Sequence, residues 1–301
     1  MKPSLKRFSF SAMGSQCEVQ FFDESRILAK KLARKLVAEA ERLEQKYSRF
    51  RKDSFVAQIN RAGGDPQGIA IDTETKSLFD HANSCFVESS GLFDITSGHL
   101  SRLWDFKTGI PPSDSEINNA LKHTGFEKLR WSDSHLHVPA GMEIDFGGIV
   151  KEYAADSLAQ LARSLGCQSG LLNMGGDFAV IGPVPESDAW PIGISDPDNP
   201  SAVMATITLA QGGLASSGDY ERFFLHNGVR YSHILNPKTG WPSSGLRAVS
   251  VASNLCTVAG SMATIAMLKE ENAALEWLEE SGLPFVFMKQ DGSIGSPAMP
   301  A

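Results

Sequence analysis

EIDFGGIVKEYAADSLAQLARSLGCQSGLLNMGGDFAVIG, residues 143–182, is the segment from which the architecture is most directly inferred. It predicts a short strand ending at Asp145, a glycine pair, a helix, and then two strands at 170–174 and 178–181. Gly166 marks the helix end, because glycine readily adopts the left-handed conformation found there. The apolar residues of the helix recur at the spacing of one buried face: Ile149, Tyr153, Leu158, Leu161, Ala162 and Leu165.

Two glycine-rich junctions in this segment suggest a ligand site. Gly147-Gly148 stands where the strand meets the helix, and Gly175-Gly176-Asp177 separates the later strands. A glycine pair lets a ligand approach the backbone, and the free N–H groups of a helix start attract an anion. Lys151, one turn into the helix, adds a positive charge. The same glycines also suit tight turns without a ligand, and the segment has neither a GxGxxG fingerprint nor a P-loop.

The flanking regions mix strands and helices without regular alternation. The longest predicted helix is 26–47, with an apolar stripe that begins at Leu28, and Asn227-Gly228 is typical of a hairpin turn. Residues 126–131 and 135–138 are predicted to form a further hairpin. This irregular order favours an α+β fold with antiparallel sheets and packed helices, built as a single mixed domain over residues 1–301.

Composition narrows the function classes. With 42% hydrophobic and 21% charged residues the chain is typical of a soluble globular protein, and its net charge of −7 argues against general nucleic-acid binding. Four scattered cysteines favour buried thiols in a reducing compartment over a metal site or a disulfide framework. No signal peptide, lipidation motif, membrane anchor or membrane span is recognisable, so we expect a cytoplasmic protein, on the condition that no leader has been trimmed.

Two other features have the residue types of a binding cleft. Residues 89–106 combine aromatic and small polar side chains, as ligand clefts do, although the aromatics also suit a loop that fills the core. His233 follows a predicted strand and stands beside a turn, which suits a catalytic base. A histidine in this position is equally compatible with a hydrogen-bonded structural role.

Taken together, eight ordered motifs resemble the FAD:protein FMN transferase family, also called the ApbE family. The resemblance covers about residues 8–270, through AMGS (12–15), the Ser48…Ser54…Asn60 segment, GLFDITSGHLSRLWDF (91–106), IDFGGIVKEYAAD (144–156), NMGGDFAVIG (173–182), SSGDYERFF (216–224), RYSHILNP (230–237) and VAGSMAT (258–264). It implies a T-fold-like α+β unit that binds FAD in a cleft with Mg²⁺ at the pyrophosphate. Family members transfer FMN to a Ser or Thr hydroxyl of a target flavoprotein and release AMP, and some instead hydrolyse FAD to FMN and AMP.

The resemblance also implies site residues by motif position. The expected flavin-nucleotide contacts are Met13, Phe50, Leu92, Phe93, Asp94, Asp145, Lys151 and Ile234. Phe50 keeps the ring but lacks the hydroxyl of the tyrosine often found there in the family. His233 is the candidate base, with Asp94 as the alternative. The Gly148 carbonyl and the Thr264 side chain are the expected metal ligands.

One position departs from the family pattern. The family's metal helix reads Ala-Asp-Ala-x-x-Thr, whereas this chain has Gly260 in place of the aspartate and keeps Thr264. A hard divalent cation thereby loses an anionic ligand, which leaves a degenerate, non-catalytic flavin binder as an alternative function. Glu152 stands where many relatives have glycine. It either returns a carboxylate to the metal region or is a solvated helix residue.

Overall fold

An eight-stranded antiparallel sheet organises the molecule. The computed structural model describes residues 4–23, 25–185, 187–199 and 201–297. These residues form fifteen strands, whose bounds are β1 Ser4–Ala12, β2 Ser15–Asp23, β3 Ile69–Ala70, β4 Arg130–Trp131, β5 His135–His137, β6 Gly170–Met174, β7 Phe178–Gly182, β8 Trp190–Ser195, β9 Val203–Leu209, β10 Gly213–Gly218, β11 Phe223–His226, β12 Val229–Ser232, β13 Ala248–Ser253, β14 Phe285–Met288 and β15 Ile294–Gly295. The large sheet has the order β1-β2-β6-β7-β10-β13-β14-β15.

Helices cover one face of this sheet. The bounds of the helices in the described ranges are α1 Arg26–Tyr47, α2 Phe55–Arg61, α3 Thr73–Glu88, α4 Gly98–Leu103, α5 Asp114–Leu121, α6 Val150–Ser164, α7 Cys256–Leu268 and α8 Glu271–Glu280. Helix α6 packs against α1 and α7 and lies on β6 and β7, while α7 lies on β10 and β13. None of the helices in the described ranges has the length and apolar character needed to cross a membrane.

The opposite face of the sheet is covered by the β8–β9 hairpin. Neighbouring strand residues point to opposite faces, so Leu172 belongs to the helix-side core and Leu171 to a second core under β8–β9. Strands buried on both faces read as nearly continuous apolar runs. For this reason the strand positions are easy to predict from the sequence, but the two faces cannot be distinguished by alternation.

A third, smaller cluster lies beyond the main core. Trp104, Ile117 and Phe224 join α4 and α5 to the β11–β12 hairpin. Its turn, Asn227-Gly228, has φ values of 51° and 77°, as a two-residue type I′ turn requires. This hairpin holds the chain that leads to His233.

Most predicted elements are confirmed, including the α+β class. Helix α6 ends in a Schellman motif: the Gly166 N–H donates to the Arg163 carbonyl and the Cys167 N–H to the Ala162 carbonyl, both at 3.0 Å. Cys17, Cys85 and Cys256 are buried thiols, as expected.

Several local predictions are wrong. The strand predicted up to Asp145 is reduced to one isolated bridge between Glu143 and Ser97, and residues 126–128 form a 3-10 turn. Leu28 and Leu165 are 60% and 40% exposed, because each lies at a helix end beyond the packed region. Helix α4, inside the segment expected to be a loop, was not predicted.

Candidate active site

Several motif segments meet at the start of α6. The Phe93 ring lies against Gly148, where a β-carbon would be 3.4 Å from the ring. The Asp145 carboxylate accepts a hydrogen bond from the Gly147 N–H at 2.8 Å. The Asp145 N–H in turn donates to the Ile95 carbonyl at 2.7 Å. The chain around Phe93 and the chain entering α6 therefore form one wall.

Arg49 connects a third segment to this wall. Its guanidinium lies 3.2 Å from the Asp145 carboxylate and donates to the Gly98 carbonyl at 3.1 Å. The Phe50 ring lies against the same guanidinium, 4.9 Å from centroid to carbon, and is 78% exposed. The structure therefore places Phe50 near Asp145 with its ring open to solvent.

The Gly175–Asp177 loop packs against the turn of the first hairpin. Gly175 has a φ of 73°, and a β-carbon there would lie 2.6 Å from the Ser15 β-carbon, so both conformation and space require glycine. Met13 forms the hairpin turn with a φ of 52°, and its N–H donates to the Glu44 carboxylate at 2.8 Å. The close approach of Ser15 to Gly175 brings Met13, in the same hairpin turn, beside the loop that carries Asp177.

Lys151 and Asp177 form a buried ion pair across this junction. The Lys151 ammonium donates to the Asp177 carboxylate at 2.9 Å, and the Asp177 side chain is 1% exposed. Burial by itself would lower the pKa of Lys151, but the charges of Asp177 and Glu152 raise it. Burial raises the pKa of Asp177, and the Lys151 charge opposes that shift. The contact with Asp177 fixes the Lys151 ammonium at the start of α6, where an anion would bind.

Glu152 is buried, so the alternative of a solvated helix residue is wrong. Its residue exposure is 6%, and its Oε2 atom has no hydrogen-bond partner. The side chain lies against Gly260 of α7. Burial, followed by the nearby Asp177 carboxylate, raises the pKa of Glu152 above its ordinary value.

Thr264 lies one helical turn beyond Gly260, on the same face of α7. Its hydroxyl is 3.1 Å from that of Ser217 on β10. Among the described residues, no group of three or more His, Cys, Asp or Glu side chains is arranged to hold a metal ion. A cation here would need mixed oxygen donors, namely a carboxylate, a hydroxyl and a backbone carbonyl, which are the donors that Mg²⁺ accepts. The unpartnered, buried Oε2 of Glu152 fits such a group.

His233 follows β12 and is half-buried. Its backbone N–H donates to the Arg222 carbonyl at 3.0 Å, and its Nδ1 atom is buried without a partner. Burial, assisted by the positive charges of Arg222 and Lys151, lowers the pKa of His233 to about 4. The imidazole is therefore neutral at pH 7, the state in which it can accept a proton.

Both oxygens of the Asp94 carboxylate accept hydrogen bonds, from its own loop and from the turn at Phe126. It accepts hydrogen bonds from the Thr96 N–H and hydroxyl, at 2.7 and 2.6 Å, and from the Phe126 N–H at 3.1 Å. Burial raises its pKa. Asp94 also lines a pocket of about 480 Å³, together with Phe86 and Lys238. These hydrogen bonds indicate that Asp94 stabilises the conformation of its loop.

Leu92 and Ile234 are half-buried and pack against the main core. The Ile234 N–H donates to the Ser232 hydroxyl at 3.4 Å, and its carbonyl accepts from the Ser243 N–H at 2.9 Å. Ile234 therefore holds the chain next to His233 in a defined position.

Sequence reasoning missed three groups that the structure places at the site. Asp177 lies within a recognised motif, but the sequence predicts no role for Asp177, Arg49 or Ser217. The available signal was an acid directly after a glycine pair, and a basic residue next to Phe50. Their partners are 26, 96 and 47 residues away along the chain respectively. Local patterns carry no information about such distant pairing.

Known proteins match almost the whole chain. A sequence profile described as the ApbE family matches residues 13–287. The chain is 27% identical over 286 residues to the FAD:protein FMN transferase of Vibrio cholerae, covering 92% of this chain and 85% of that protein. It is 28% identical over 277 residues to the FAD:protein FMN transferase of Treponema pallidum, covering 85% and 76%.

Solved structures share the architecture. The ApbE protein of Thermotoga maritima superposes with a TM-score of 0.89 at 30% identity, covering 97% of both chains. The flavinyl transferase ApbE of Pseudomonas stutzeri superposes with a TM-score of 0.86 at 27% identity, covering 98% of this chain and 95% of that one.

Proposed function

This chain belongs to the ApbE family, and we propose that it transfers FMN from FAD to a Ser or Thr hydroxyl of a target flavoprotein and releases AMP. The named relatives support this activity. The observation that carries the proposal is the convergence of separate motif segments on the first turn of α6. Phe93 contacts Gly148 there, and the Lys151–Asp177 pair and Glu152 occupy the following positions.

The proposed reaction is a phosphoryl-type transfer. The acceptor hydroxyl oxygen attacks the phosphorus on the FMN side of the pyrophosphate, and the bond from that phosphorus to the bridging oxygen breaks. AMP leaves with the bridging oxygen, and the hydroxyl proton passes to a base. The products are a phosphoester-linked flavin on the acceptor and free AMP, so atoms and charges balance.

Lys151 would neutralise part of the pyrophosphate charge. That charge repels an incoming nucleophile, so a fixed cation at the scissile linkage lowers the barrier. Asp177 lies 2.9 Å from the ammonium and thereby sets its position. The positive end of α6 adds to the same field.

His233 would receive the hydroxyl proton. Its imidazole is neutral at pH 7, and the Nδ1 atom has no competing partner. A pyrophosphate bound beside Lys151 would bring negative charge and raise the His233 pKa towards its ordinary value. The residue would then be a stronger base in the complex than in the free protein.

A divalent cation fits the oxygen donors described above and, when bound, would neutralise the remaining pyrophosphate charge. The Gly148 carbonyl, the Thr264 hydroxyl and one carboxylate are the residues of this chain that would hold it.

The test is incubation of the purified protein with FAD, Mg²⁺ and a flavoprotein acceptor produced without its FMN. AMP is followed by chromatography and protein-bound flavin by fluorescence after denaturing electrophoresis. AMP together with covalently bound flavin supports the transferase. Equal amounts of AMP and free FMN without acceptor labelling would replace it by an FAD pyrophosphatase with water as the nucleophile. FAD binding without AMP release would leave a flavin-binding protein.

A further inference from the structure

Helices α6 and α7 cross with an antiparallel register that is fixed by side-chain contacts. The Asp156 carboxylate accepts hydrogen bonds from the Cys256 and Thr257 N–H groups, at 2.9 and 2.8 Å. One turn towards the start of α6, Glu152 lies against Gly260. The two contacts advance in opposite directions along the helices, by about one turn each. One further turn in the same antiparallel register pairs position 148, where the chain enters α6, with Thr264 on α7.

Glu152 occupies the space that a side chain at position 260 would need. A β-carbon built on Gly260 would lie 2.4 Å from the Glu152 Cγ atom and 2.8 Å from its Oε1 atom. Both distances are far below van der Waals contact, so an aspartate at 260 and the observed Glu152 conformation exclude each other. The glycine on one helix and the glutamate on the other are therefore complementary.

The Glu152 carboxylate lacks the partner that a buried acid requires. Its nearest cationic neighbour in sequence, Lys151, is paired with Asp177 instead. The Glu152 side chain is nine-tenths buried, and Oε2 has no hydrogen-bond partner. A buried and unpartnered carboxylate oxygen is costly unless a proton or a cation satisfies it.

We propose that Glu152 supplies the carboxylate ligand of a divalent-cation site from α6, in place of the side chain missing at Gly260, together with the Thr264 hydroxyl and the Gly148 carbonyl. The inference rests on the proposed function for the role of the cation. The carboxylate itself is assigned from this chain's own packing. A hard cation such as Mg²⁺ or Mn²⁺ suits this set of oxygen donors, with water completing the coordination.

The first test measures Mn²⁺ binding rather than activity. Mn²⁺ is titrated into the purified full chain and the free ion is followed by its electron paramagnetic resonance signal, without FAD and again with saturating FAD. Glu152→Gln preserves the side-chain shape and should raise the Mn²⁺ Kd by about tenfold or more, since altering groups around a metal typically costs that much. Unchanged Mn²⁺ affinity in this variant, or no Mn²⁺ binding by the wild type in either condition, would overturn the proposal.

Asp156→Asn is the matched control. It removes a carboxylate from the same face of the same helix, one turn further on, where the oxygens are already hydrogen-bonded to α7. Asn keeps one oxygen that can accept from the α7 N–H groups, so a variant that unfolds at the wild-type urea midpoint keeps the register and should leave the Mn²⁺ Kd unchanged within error. A loss equal to that of Glu152→Gln would mean that only the overall negative charge matters, which would also overturn the assignment.

The second test exchanges the acid between the helices. Glu152→Ala should weaken Mn²⁺ binding, and Gly260→Asp added to that variant should recover it, because the space above position 260 is then open. Gly260→Asp alone should destabilise the protein through overlap with Glu152. A folded double variant that binds Mn²⁺ no better than Glu152→Ala would contradict the shared position.

These measurements separate the inference from the proposed function. If Mn²⁺ binding follows the expected series but no AMP or bound flavin is formed, the cation site stands and the transferase fails. If FMN transfer occurs while Glu152→Gln leaves Mn²⁺ affinity intact, the transferase stands and the Glu152 site fails.

Discussion

At the scale of single residues, removing the Lys151 charge should affect both the stability of the protein and its binding of FAD. Lys151→Met leaves the 1% exposed Asp177 without its partner, so we expect a loss of about 3–5 kcal/mol in unfolding free energy, as for other broken buried pairs. FAD binding or turnover should also weaken by about 1–3 kcal/mol, the scale of a charge-assisted hydrogen bond. Urea unfolding and calorimetric titration with FAD measure the two effects.

The control for Lys151 is another ion pair of the same length. Lys289 lies 2.9 Å from Glu271, with the two side chains 32% and 36% exposed. Lys289→Met should cost at most about 1 kcal/mol, because solvent screens exposed pairs. Unchanged FAD affinity and turnover in Lys151→Met would remove Lys151 from the site.

His233 should control the rate of transfer. His233→Ala should lower FMN transfer by about 10²–10⁴-fold, the usual share of a general base, while FAD binding survives. For the wild type, kcat/KM should fall at acidic pH with an apparent pKa near 4, since the base is active when neutral. Full transfer activity in the variant would move the base role elsewhere, with Asp94 as the next residue to substitute.

The same histidine should make stability depend on pH. Its pKa is lowered from 6.5 to about 4 on folding, so below pH 6.5 the unfolded chain takes up a proton that the folded chain refuses. The stability present above pH 6.5 is lost as the pH falls towards 4, by at most about 3 kcal/mol from this group. His233→Asn should show a smaller loss over that window than the wild type. Parallel stability profiles for the two proteins would contradict the buried neutral state.

Residues that belong to contiguous motifs could be predicted from the sequence, and residues defined by distant partners could not. Lys151 and His233 are proposed from their places in a predicted helix start and at a predicted strand end, and Gly148 is proposed as a metal ligand from the resemblance. Glu152 shows the limit. Its burial depends on a glycine 108 positions later, and the sequence does not show that their two helices cross at this point.

At the scale of the element, replacing Gly260 of α7 by alanine should lower the stability of the protein, although this exchange usually raises it inside a helix. Replacing glycine by alanine inside a helix normally stabilises by about 1 kcal/mol. Gly260→Ala should instead destabilise by about 1–3 kcal/mol, because its β-carbon would overlap Glu152. Urea unfolding measures the sign, and the same substitution in a Glu152→Ala background should be stabilising. A gain in stability from Gly260→Ala alone would show that the Glu152 side chain can move away from the added β-carbon at little energetic cost.

Elements with local start and stop signals were predicted well. Ser113 and Glu116 form a capping box at the start of α5, and Asp72 caps α3, so both helix starts are visible in the local sequence. Helix α7 differs, because Leu255 at its start offers no side-chain cap. Its first N–H groups are satisfied by Asp156, a hundred residues earlier. A cap supplied by another helix leaves no trace in the local sequence.

At the scale of the whole molecule, we expect one cooperative unfolding transition. The two main cores share the strands of one sheet, since Leu171 and Leu172 face opposite sides. Exposing one core therefore disrupts the other. Scanning calorimetry should give equal calorimetric and van't Hoff enthalpies. Two separate transitions would mean that two parts of the chain unfold independently, which would contradict the prediction of a single domain over 1–301.

The proposed FAD site as a whole should also distinguish FAD from FMN. The Met13 and Phe93 regions are expected to hold the half of FAD that carries adenine, so FAD should bind more tightly than FMN. Calorimetric titration of the wild type with each nucleotide measures the difference. Equal affinities would place the adenine half outside the cleft.

The α+β class could be predicted from the irregular order of elements, but the strand order could not. Strand β2 pairs with β6, about 150 residues later, and β10 joins β7 to β13. Such pairing depends on which apolar faces meet in three dimensions. Apolar runs buried on both faces identify a strand without indicating its neighbour.

The mutual exclusion of Glu152 and a side chain at position 260 also constrains how such a sequence can arise. A chain with the family's aspartate at 260 and glycine at 152 is two substitutions away from this one. Gaining the glutamate first would crowd the helix crossing, whereas losing the aspartate first would leave the proposed cation site without an acidic ligand. If the proposed site is correct, each step is harmful alone and tolerated after the other, which is reciprocal sign epistasis. The two positions should therefore be inherited together, as a linked pair of alleles with few viable intermediates.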